Sequence, residues 1–599
     1  MLSAVKALGD YSCKSEGLSF ESMFVENSKL DGVKKVFCIN FEYNNEKAIY
    51  KGIFSENFDR NRSTRYLYRI YRHQRYDVTP TSRMANSEKL KQRFGLWFRQ
   101  CGDEYLKDPF LSALKEGFLG KIDSVFDDLE QEYTLLGRED RKNAIVTITI
   151  NEEKHIGDFE IFRRILRNEA CHGFYSKHGV ESKGSGICFL CRKKTEVMGF
   201  ASPFSVYTFD KKGFAPNFLR EETWKRLPVC MDCATILSAG RDFLNKHFYK
   251  AFYGFNFYVI PSFVLKFDNE LLKDLLSKKK SYRKLVCNED DISEAMAEKG
   301  DQVNLTFVFT KPKQSDYFDI MRYVEDVPPS WIRQILRTEK EIVKPLEAGS
   351  ISIFQEETLK LILGDKIVGD FNENEDTSLG GLVRPFFPQS KYEGIHDKYF
   401  VDLVSDVLAQ RGIRSRLLLA AFVRAIRSSF VKGNDRHAKV LALKSLMLVL
   451  LTSKLELLPD WGEVEMSSTT DNEDKITRFF TEYQNAFNSP CKRAVFLEGI
   501  MTKYLMDIQF ANRRSTPFRD KLYGLKLDER RVKKLLPEII EKLREYGMAY
   551  SALEKVTAEA FIDSENKGWN LTIDEISYFF ALGMTLAPIF KTKEEKVNE

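Results

Sequence analysis

The chain has 599 residues, more than a single hydrophobic core can serve, so two large domains are expected, with a small inserted one. With 43% hydrophobic residues, 47 Phe and 25 Tyr it carries enough apolar surface for packed cores, which excludes wholesale disorder. The net charge of +5 argues only weakly for a polyanionic partner, but the charge is unevenly spread.

The stretch Met1 to Phe20 carries Lys6, Asp10 and Lys14 and lacks the long apolar run of a signal peptide or membrane helix. Leu417 to Val423 and Leu446 to Leu451 are short and flanked by Arg416, Arg424 and Lys444, so they read as buried helix pieces of a soluble protein. Ten cysteines in so long a chain are far from a disulfide scaffold. Six of them (Cys13, Cys38, Cys101, Cys171, Cys287 and Cys491) show no pairing pattern, and a reducing cytoplasm is the expected location.

Val36 to Tyr43 alternates β-branched and aromatic residues as a strand does. From Arg60 to Gln100 eleven basic residues face two acidic ones, a local charge of +9. Within it, Arg60, Arg62, Arg65, Arg69, Arg72 and Arg75 interleave with Tyr66, Tyr68, Tyr71 and Tyr76. Arginine forks match phosphate or guanine, and tyrosine stacks on bases, so this composition suits nucleic acid. A helix over Thr64 to Arg75 would place Arg65, Arg69 and Arg72 on one face. The bland alternative is a solvated basic face. Leu106 to Leu136 reads as mostly helix, and Ala144 to Ile150 as a strand.

Cys188 and Cys191, then Cys230 and Cys233, form two CxxC knuckles separated by 38 residues. Each knuckle offers two thiolates on one turn, and two knuckles complete the tetrahedron that zinc prefers. A four-thiolate sphere is closed, so one structural Zn2+ is expected rather than a catalytic one. A redox couple or buried thiols is the alternative, and His172 and His178 lie near enough in sequence to replace a ligand.

Phe255 to Phe267 and Asn304 to Thr310 are further strands, which makes residues 1–365 an α+β N-terminal domain with a zinc-binding insertion over residues 184–236. Residues 366–394, rich in Gly, Asn and acid at first and containing Pro385 and Pro388, read as a linker. Residues 395–599 show helical spacing nearly throughout and are expected to form an all-α helical bundle, with an acidic connection at Pro459 to Asp474 and a helix capped by Thr572 or Asp574 near the end. This half holds a second basic region, with nine basic residues against one acidic between Arg411 and Ser445. A third cluster, from Arg513, Arg514 and Arg519 to Lys534, suits phosphate contact along a single strand.

No GxxxxGK[ST] loop and no HExxH occur, and Gly184-Ser-Gly186 is a lone glycine fragment. His396-Asp397 is the one dipeptide that could begin a metal nuclease site, without companion ligands around it.

The stretch Phe496 to Gly547 resembles the C-terminal signature of the large subunit of type I-B CRISPR Cascade surveillance complexes, the Csh-type large-subunit family. The marks are Phe496 to Gly499 (FLxG), Gln509, Pro517-Phe518 and the turn Gly524 to Asp528. Tyr66-Leu-Tyr-Arg69 followed by Asp77-Val-Thr-Pro-Thr81 resembles that family's N-terminal motif, and the double CxxC also matches. The resemblance implies a non-catalytic subunit that joins backbone and guide-end-capping proteins and a guide RNA (crRNA). It would read the protospacer-adjacent motif on duplex DNA, help open it, and hand it to a helicase-nuclease effector. It further implies a small-subunit-like C-terminal part that supports the displaced strand and is also made separately from an internal start, for which Met447 and Met466 are the candidates. On this reading Arg60, Arg62, Arg65, Arg69, Arg72 and Arg75 meet duplex or guide, and Arg513, Arg514 and Arg519 meet a strand. The competing readings are a metal-dependent nuclease using His396 and Asp397, and a stand-alone zinc-containing RNA-binding protein.

Overall fold

The computed structural model describes residues 1–15, 21–26, 29–70, 76–135, 143–204, 212–252, 255–264, 266–277, 302–312, 318–343, 351–364, 378–389, 395–461, 475–591 and 595–596. The chain divides into two compact units, Met1–Lys246 and His247–Glu599.

Unit 1 begins with α1 (Leu2–Ser15) and then builds a sheet on the hairpin β1 (Lys35–Asn44) and β2 (Lys47–Asn57). The strand order is β2-β1-β4-β3, with β4 (Ala144–Ile150) parallel to β1, β3 (Ser82–Arg83) on the outer edge and β5 (Lys154–His155) folding back on β4. β4 is buried at every position, which is why its sequence is an unbroken apolar and Thr run. The helices α2 (Ser87–Gln100), α3 (Pro109–Leu119) and α4 (Ile122–Leu135) cover the sheet with aromatic side chains, and Phe98 stacks on Phe118 with ring centroids 4.6 Å apart. Asn86 and Asp108 cap α2 and α3, the latter with Pro109 in the first turn, where its missing N–H costs nothing. A Cβ on Gly117 would sit 2.2 Å from the Ala48 carbonyl oxygen, so glycine is what lets α3 lie on β2. The mostly helical stretch expected over Leu106 to Leu136 holds two helices, α3 and α4, with Gly120 between them.

α5 (Glu160–Tyr175) leads through the small pair β6 (Ser176–Lys177) and β7 (Val180–Glu181) into a separate three-stranded sheet. Its order is β10-β9-β8, with β8 (Lys183–Ile187), β9 (Lys194–Met198) and β10 (Val229–Cys230), and α6 (Met231–His247) follows directly.

Unit 2 combines a sheet and helices in one core. Strands β11 (Tyr249–Phe252), β12 (Phe255–Phe263), β13 (Val303–Pro312) and β14 (Phe318–Val327) form an antiparallel meander. α7 (Asn269–Ser277), α8 (Pro329–Val343), α9 (Glu356–Leu363) and α10 (Leu379–Val383) precede the helices of the C-terminal region. These are α11 (Ile395–Leu408), α12 (Ser415–Val431), α13 (Asp435–Lys454), α14 (Lys475–Glu482), α15 (Pro490–Arg513), α16 (Glu529–Glu545), α17 (Ser551–Lys567) and α18 (Ile573–Leu586). Thr572, with Glu575 reaching back, closes a capping box on α18.

Two expectations need correction. The helical region is not walled off from the strands before it: Phe257, Phe307 and Phe309 share one hydrophobic cluster with Phe400, Phe422 and Leu446. The division between units falls after Lys246, whereas residues 378–389 of the expected linker include α10 and Phe386, all buried in that cluster. Residues 365–377, which carry most of the linker composition, lie outside the described residues. Helix-forming composition alone does not reveal that a sheet supplies part of the same core, because β12 and β13 are distant in sequence from the helices that cover them.

Among the described residues one segment, Ile573–Phe590, is long and apolar enough to cross a membrane, and 78% of that window is buried inside unit 2. The pieces Leu418–Val423 and Leu446–Leu451 belong to α12 and α13 in the same core, with Leu417 exposed at the edge. Met447 sits mid-helix in α13 and is buried; Met466 lies outside the described residues.

Candidate metal centre and basic surfaces

The two knuckles meet because β9 pairs with both β8 and β10. Cys188 closes β8, and the turn that follows is fixed by two backbone bonds, from the Cys188 N–H to Lys193 O (2.9 Å) and from the Arg192 N–H to Cys188 O (2.9 Å). Arg192 takes a left-handed conformation at φ 62° to close the turn. Cys230 ends β10 and Cys233 lies in the first turn of α6. All four sulfurs lie within 4.8 Å of one another, and Cys191 Sγ is 3.7 Å from Cys230 Sγ. A tetrahedral zinc with bonds near 2.3 Å sets its sulfurs roughly 3.8 Å apart, so the cluster fits such an ion.

The electrostatics point the same way. Burial opposes the Cys188 thiolate, but N–H groups of Cys191, Cys230 and Leu190 outweigh it and bring its pKa down to about 7. Burial and the neighbouring thiols push Cys230 up to about 11, and Cys233 higher still. Four thiolates crowded together repel, and a divalent cation at their centre is what allows all four to ionise. His172 on α5 is exposed and makes a ring contact with Tyr175, and neither it nor His178 belongs to the cluster.

Over its described residues 60–70 the Arg/Tyr segment does not form the expected helix. A short 3-10 turn, Arg60–Arg65, gives way to a loop whose strand-like bridge pairs Ile70 with Asp77. Leu67 has φ 48°, which breaks any helix at that point. The motif residues hold this loop shut: Thr79 Oγ1 donates to Leu67 O at 2.9 Å, Thr81 Oγ1 to Tyr66 O at 2.6 Å, and Trp97 Nε1 to Val78 O at 2.9 Å. Tyr66 and Tyr68 are buried, and Tyr66 stacks on Phe58, so neither can stack on a base. Arg60 and Arg62 are exposed beside Asp31 and Asp59, whereas Arg65 donates to Glu153 O and Arg69 to Phe24 O. Tyr71, Arg72 and Arg75 lie outside the described residues.

In unit 2, Arg513 and Arg514 are exposed where α15 ends, Arg514 as a left-handed cap at φ 53°. Arg519 is committed to the fold: it forms a two-pronged pair with Asp435 at 2.7 and 2.9 Å and lies 3.8 Å above the Phe430 ring. Two exposed aromatics that the sequence did not single out flank the cations, Phe510 near Arg514 and Tyr523 under Arg531 at 4.5 Å. A cavity of about 270 Å3 opens beside them between Phe430, Asp435, Lys439, Lys503 and Phe510. Charge runs were legible in sequence; which aromatic rings remain in solvent was not.

The other signature residues are structural. A Cβ on Gly499 would lie 2.3 Å from Phe580 O, and one on Gly583 1.9 Å from Phe496 O, so α15 and α18 cross in near backbone contact at these glycines. Buried Gln509 accepts from the Phe518 N–H at 3.0 Å, and Asp528 caps α16 through Arg531 N at 2.9 Å. Asp397, the acid of the nuclease reading, is buried and paired with Arg384 at 3.2 Å, with Lys311 3.8 Å away. It is a structural anion, and among the described residues no ligand group gathers around it.

Comparison with known protein families matches three domain models in chain order. Residues 1–168 match the N-terminal domain of CRISPR-associated protein TM1802, residues 185–327 its central domain and residues 379–598 its C-terminal domain. No curated protein matches the chain.

Proposed function

The chain belongs to the CRISPR-associated TM1802 family, the type I-B large subunits, and from that premise we propose that it is the non-catalytic subunit that checks the protospacer-adjacent motif on duplex DNA and helps form the R-loop. The observation that carries the proposal is the ordered match of three domain models over nearly the whole chain. In such complexes pairing with the guide supplies sequence specificity, which leaves the protein to provide backbone affinity and the short motif check. Exposed arginines in each unit supply that affinity: Arg60 and Arg62 in unit 1, Arg513 and Arg514 in unit 2. Phe510 and Tyr523 add ring faces beside the second group, the pairing that single-strand grooves use. One structural zinc in the four-cysteine cluster stiffens the central domain, and the effector nuclease is recruited to the assembled complex.

The test uses the complex assembled with backbone proteins and guide RNA. Arg513→Glu/Arg514→Glu should weaken target binding and make the plot of log affinity against log salt shallower by about 1.4, since each single-strand phosphate left without its arginine takes ~0.7 from the slope. Unchanged affinity and slope would remove these residues from the interface. Incubating the isolated chain with DNA and manganese should give no cleavage; cleavage would sink the non-catalytic assignment.

A further inference from the structure

Unit 1 contains a second convergence of metal-binding atoms, sharing no residue with the four cysteines. Strand register produces it. Glu56 of β2 pairs with Val36 of β1, two residues from Cys38, so Glu56 and Cys38 emerge on one face as diagonal neighbours. Cys38 also pairs with Thr147 of β4, and Thr149, two residues on, pairs with His155 of β5. The same alternation therefore brings His155 to that face. His155 Nε2 lies 2.9 Å from Glu56 Oε1 and 4.0 Å from Cys38 Sγ, and all three atoms lie within 4.8 Å of one another. The Tyr66 hydroxyl donates to Glu56 Oε1 at 3.1 Å, with its ring edge-on to the imidazole.

Two ordinary explanations account for less. A histidine–carboxylate hydrogen bond explains Glu56 but leaves a wholly buried thiol aimed at the same nitrogen. A Cys-His-Glu relay needs the thiol and the carboxylate on opposite ring nitrogens. Here both approach Nε2, while Nδ1 is buried with no hydrogen-bond partner among the described residues. Convergence on one point is instead the arrangement a cation organises. Tetrahedral zinc, with bonds of about 2.0–2.3 Å, sets its ligand atoms roughly 3.3–3.8 Å apart, and the observed 2.9 and 4.0 Å bracket that range. Glu56 is 30% exposed, which gives an ion a way in and leaves a side for water.

We propose that Cys38, Glu56 and His155 form a second metal site for a divalent ion of the zinc class, with water as fourth ligand beside the Tyr66 hydroxyl. Binding displaces the Cys38 thiol proton to solvent, moves the imidazole proton to Nδ1, and replaces the His155–Glu56 hydrogen bond with two metal bonds. The ion ties the β1–β2 hairpin to the β4–β5 turn. That turn and the residues after β5 support the basic segment directly: Arg65 donates to Glu153 O, and a Cβ on Gly157 would sit 2.1 Å from Thr64 O. The site thus braces the stretch that carries Arg60, Arg62 and Arg65. The proposal stands independently of the CRISPR role.

The test counts zinc in the purified full chain after dialysis against a small excess of zinc. Two ions per chain are expected, falling to one in Cys38→Ser/His155→Gln. X-ray absorption at the zinc edge of the unaltered protein should give an average of about 2.5 sulfurs per zinc, between four in one site and one in the other. That measurement decides the matter even where the double variant does not fold. A single zinc with a pure four-sulfur shell would overturn the proposal. So would two ions retained in the double variant, since the second would then lie elsewhere.

Discussion

Unit 1 and unit 2 present positive charge on different foundations. In unit 1 the described part of the basic segment is a loop closed by threonine hydroxyls and an indole N–H, and elsewhere in the unit four cysteines converge on one point. In unit 2 the basic residues project from long helices whose other faces fill one large apolar cluster. The basic loop and the four-cysteine region of unit 1 rest on a few directional bonds and on bound metal, although the unit also has an apolar core of its own; unit 2 spreads its stability over many side chains. The four-cysteine region should therefore fail abruptly on loss of one group, and unit 2 by increments.

The sharpest way to break that contrast is to remove a cysteine. Structural zinc contributes about 10–16 kcal/mol in small zinc-finger peptides, as much as the whole stability of a typical domain. Cys230→Ser should abolish hydrogen-exchange protection across residues 183–204 and 212–246 while α13, α15 and α18 stay protected. Equal loss in both units would show that they do not unfold separately. Gly583→Ala is the corresponding attack on unit 2. Its Cβ meets the Phe496 carbonyl at 1.9 Å, which neither helix can accommodate without shifting. A destabilisation of about 3 kcal/mol or more is expected in chemical denaturation, confined to the unit 2 transition. A variant as stable as the parent would mean that the helices slide apart at little cost.

These two substitutions also mark what the sequence could convey. The knuckle spacing announced the cysteine cluster because a CxxC turn is local: both ligands lie within one turn of backbone. The strands β1, β4, β12 and β13 were equally visible as alternating or unbroken apolar runs. Gly499 was legible only as part of a family signature and Gly583 not at all, since the close approach they permit joins residues 84 positions apart. The same holds for Cys38, Glu56 and His155, which look unrelated until strand register brings them to one face. The Arg/Tyr segment misled for a different reason. Its spacing fits a helix, but the hydrogen bonds from Thr79 and Thr81 to the Leu67 and Tyr66 carbonyls hold those groups in a loop instead.

A smaller effect probes a weakness inside unit 2. Glu498 on α15 is wholly buried, and neither carboxyl oxygen has a hydrogen-bond partner among the described residues. Burial raises its pKa well above the ordinary carboxylate value. In the folded chain it therefore keeps a proton that the unfolded chain releases. Above the unfolded pKa the folded state binds more protons, so stability falls as pH rises, by about 1.4 kcal/mol per unit, until the folded pKa is reached. Glu498→Gln should flatten that decline and stabilise the protein at neutral pH by on the order of 1–3 kcal/mol. Denaturation midpoints at pH 5 and pH 7.5 check this; parallel pH profiles for variant and parent would show that Glu498 is solvated after all.

The smallest effect separates charge that serves the fold from charge that serves a ligand. Arg519 belongs by composition to the same basic cluster as Arg513 and Arg514, yet its guanidinium grips Asp435 and covers the Phe430 ring. The pair is partly exposed, with 23% of the arginine side chain and 56% of the aspartate side chain open to solvent, so salt and water discount it. Two charge-assisted bonds and one cation–π contact at such a site are worth about 1 kcal/mol together. Arg519→Ala should thus lower unit 2 stability by about that amount and leave the salt dependence of target binding unchanged. The Arg513→Glu/Arg514→Glu variant should do the reverse, keeping stability and losing salt slope. If Arg519→Ala also flattens the slope, its guanidinium reaches phosphate while still held by Asp435, and unit 2 uses one residue for both purposes.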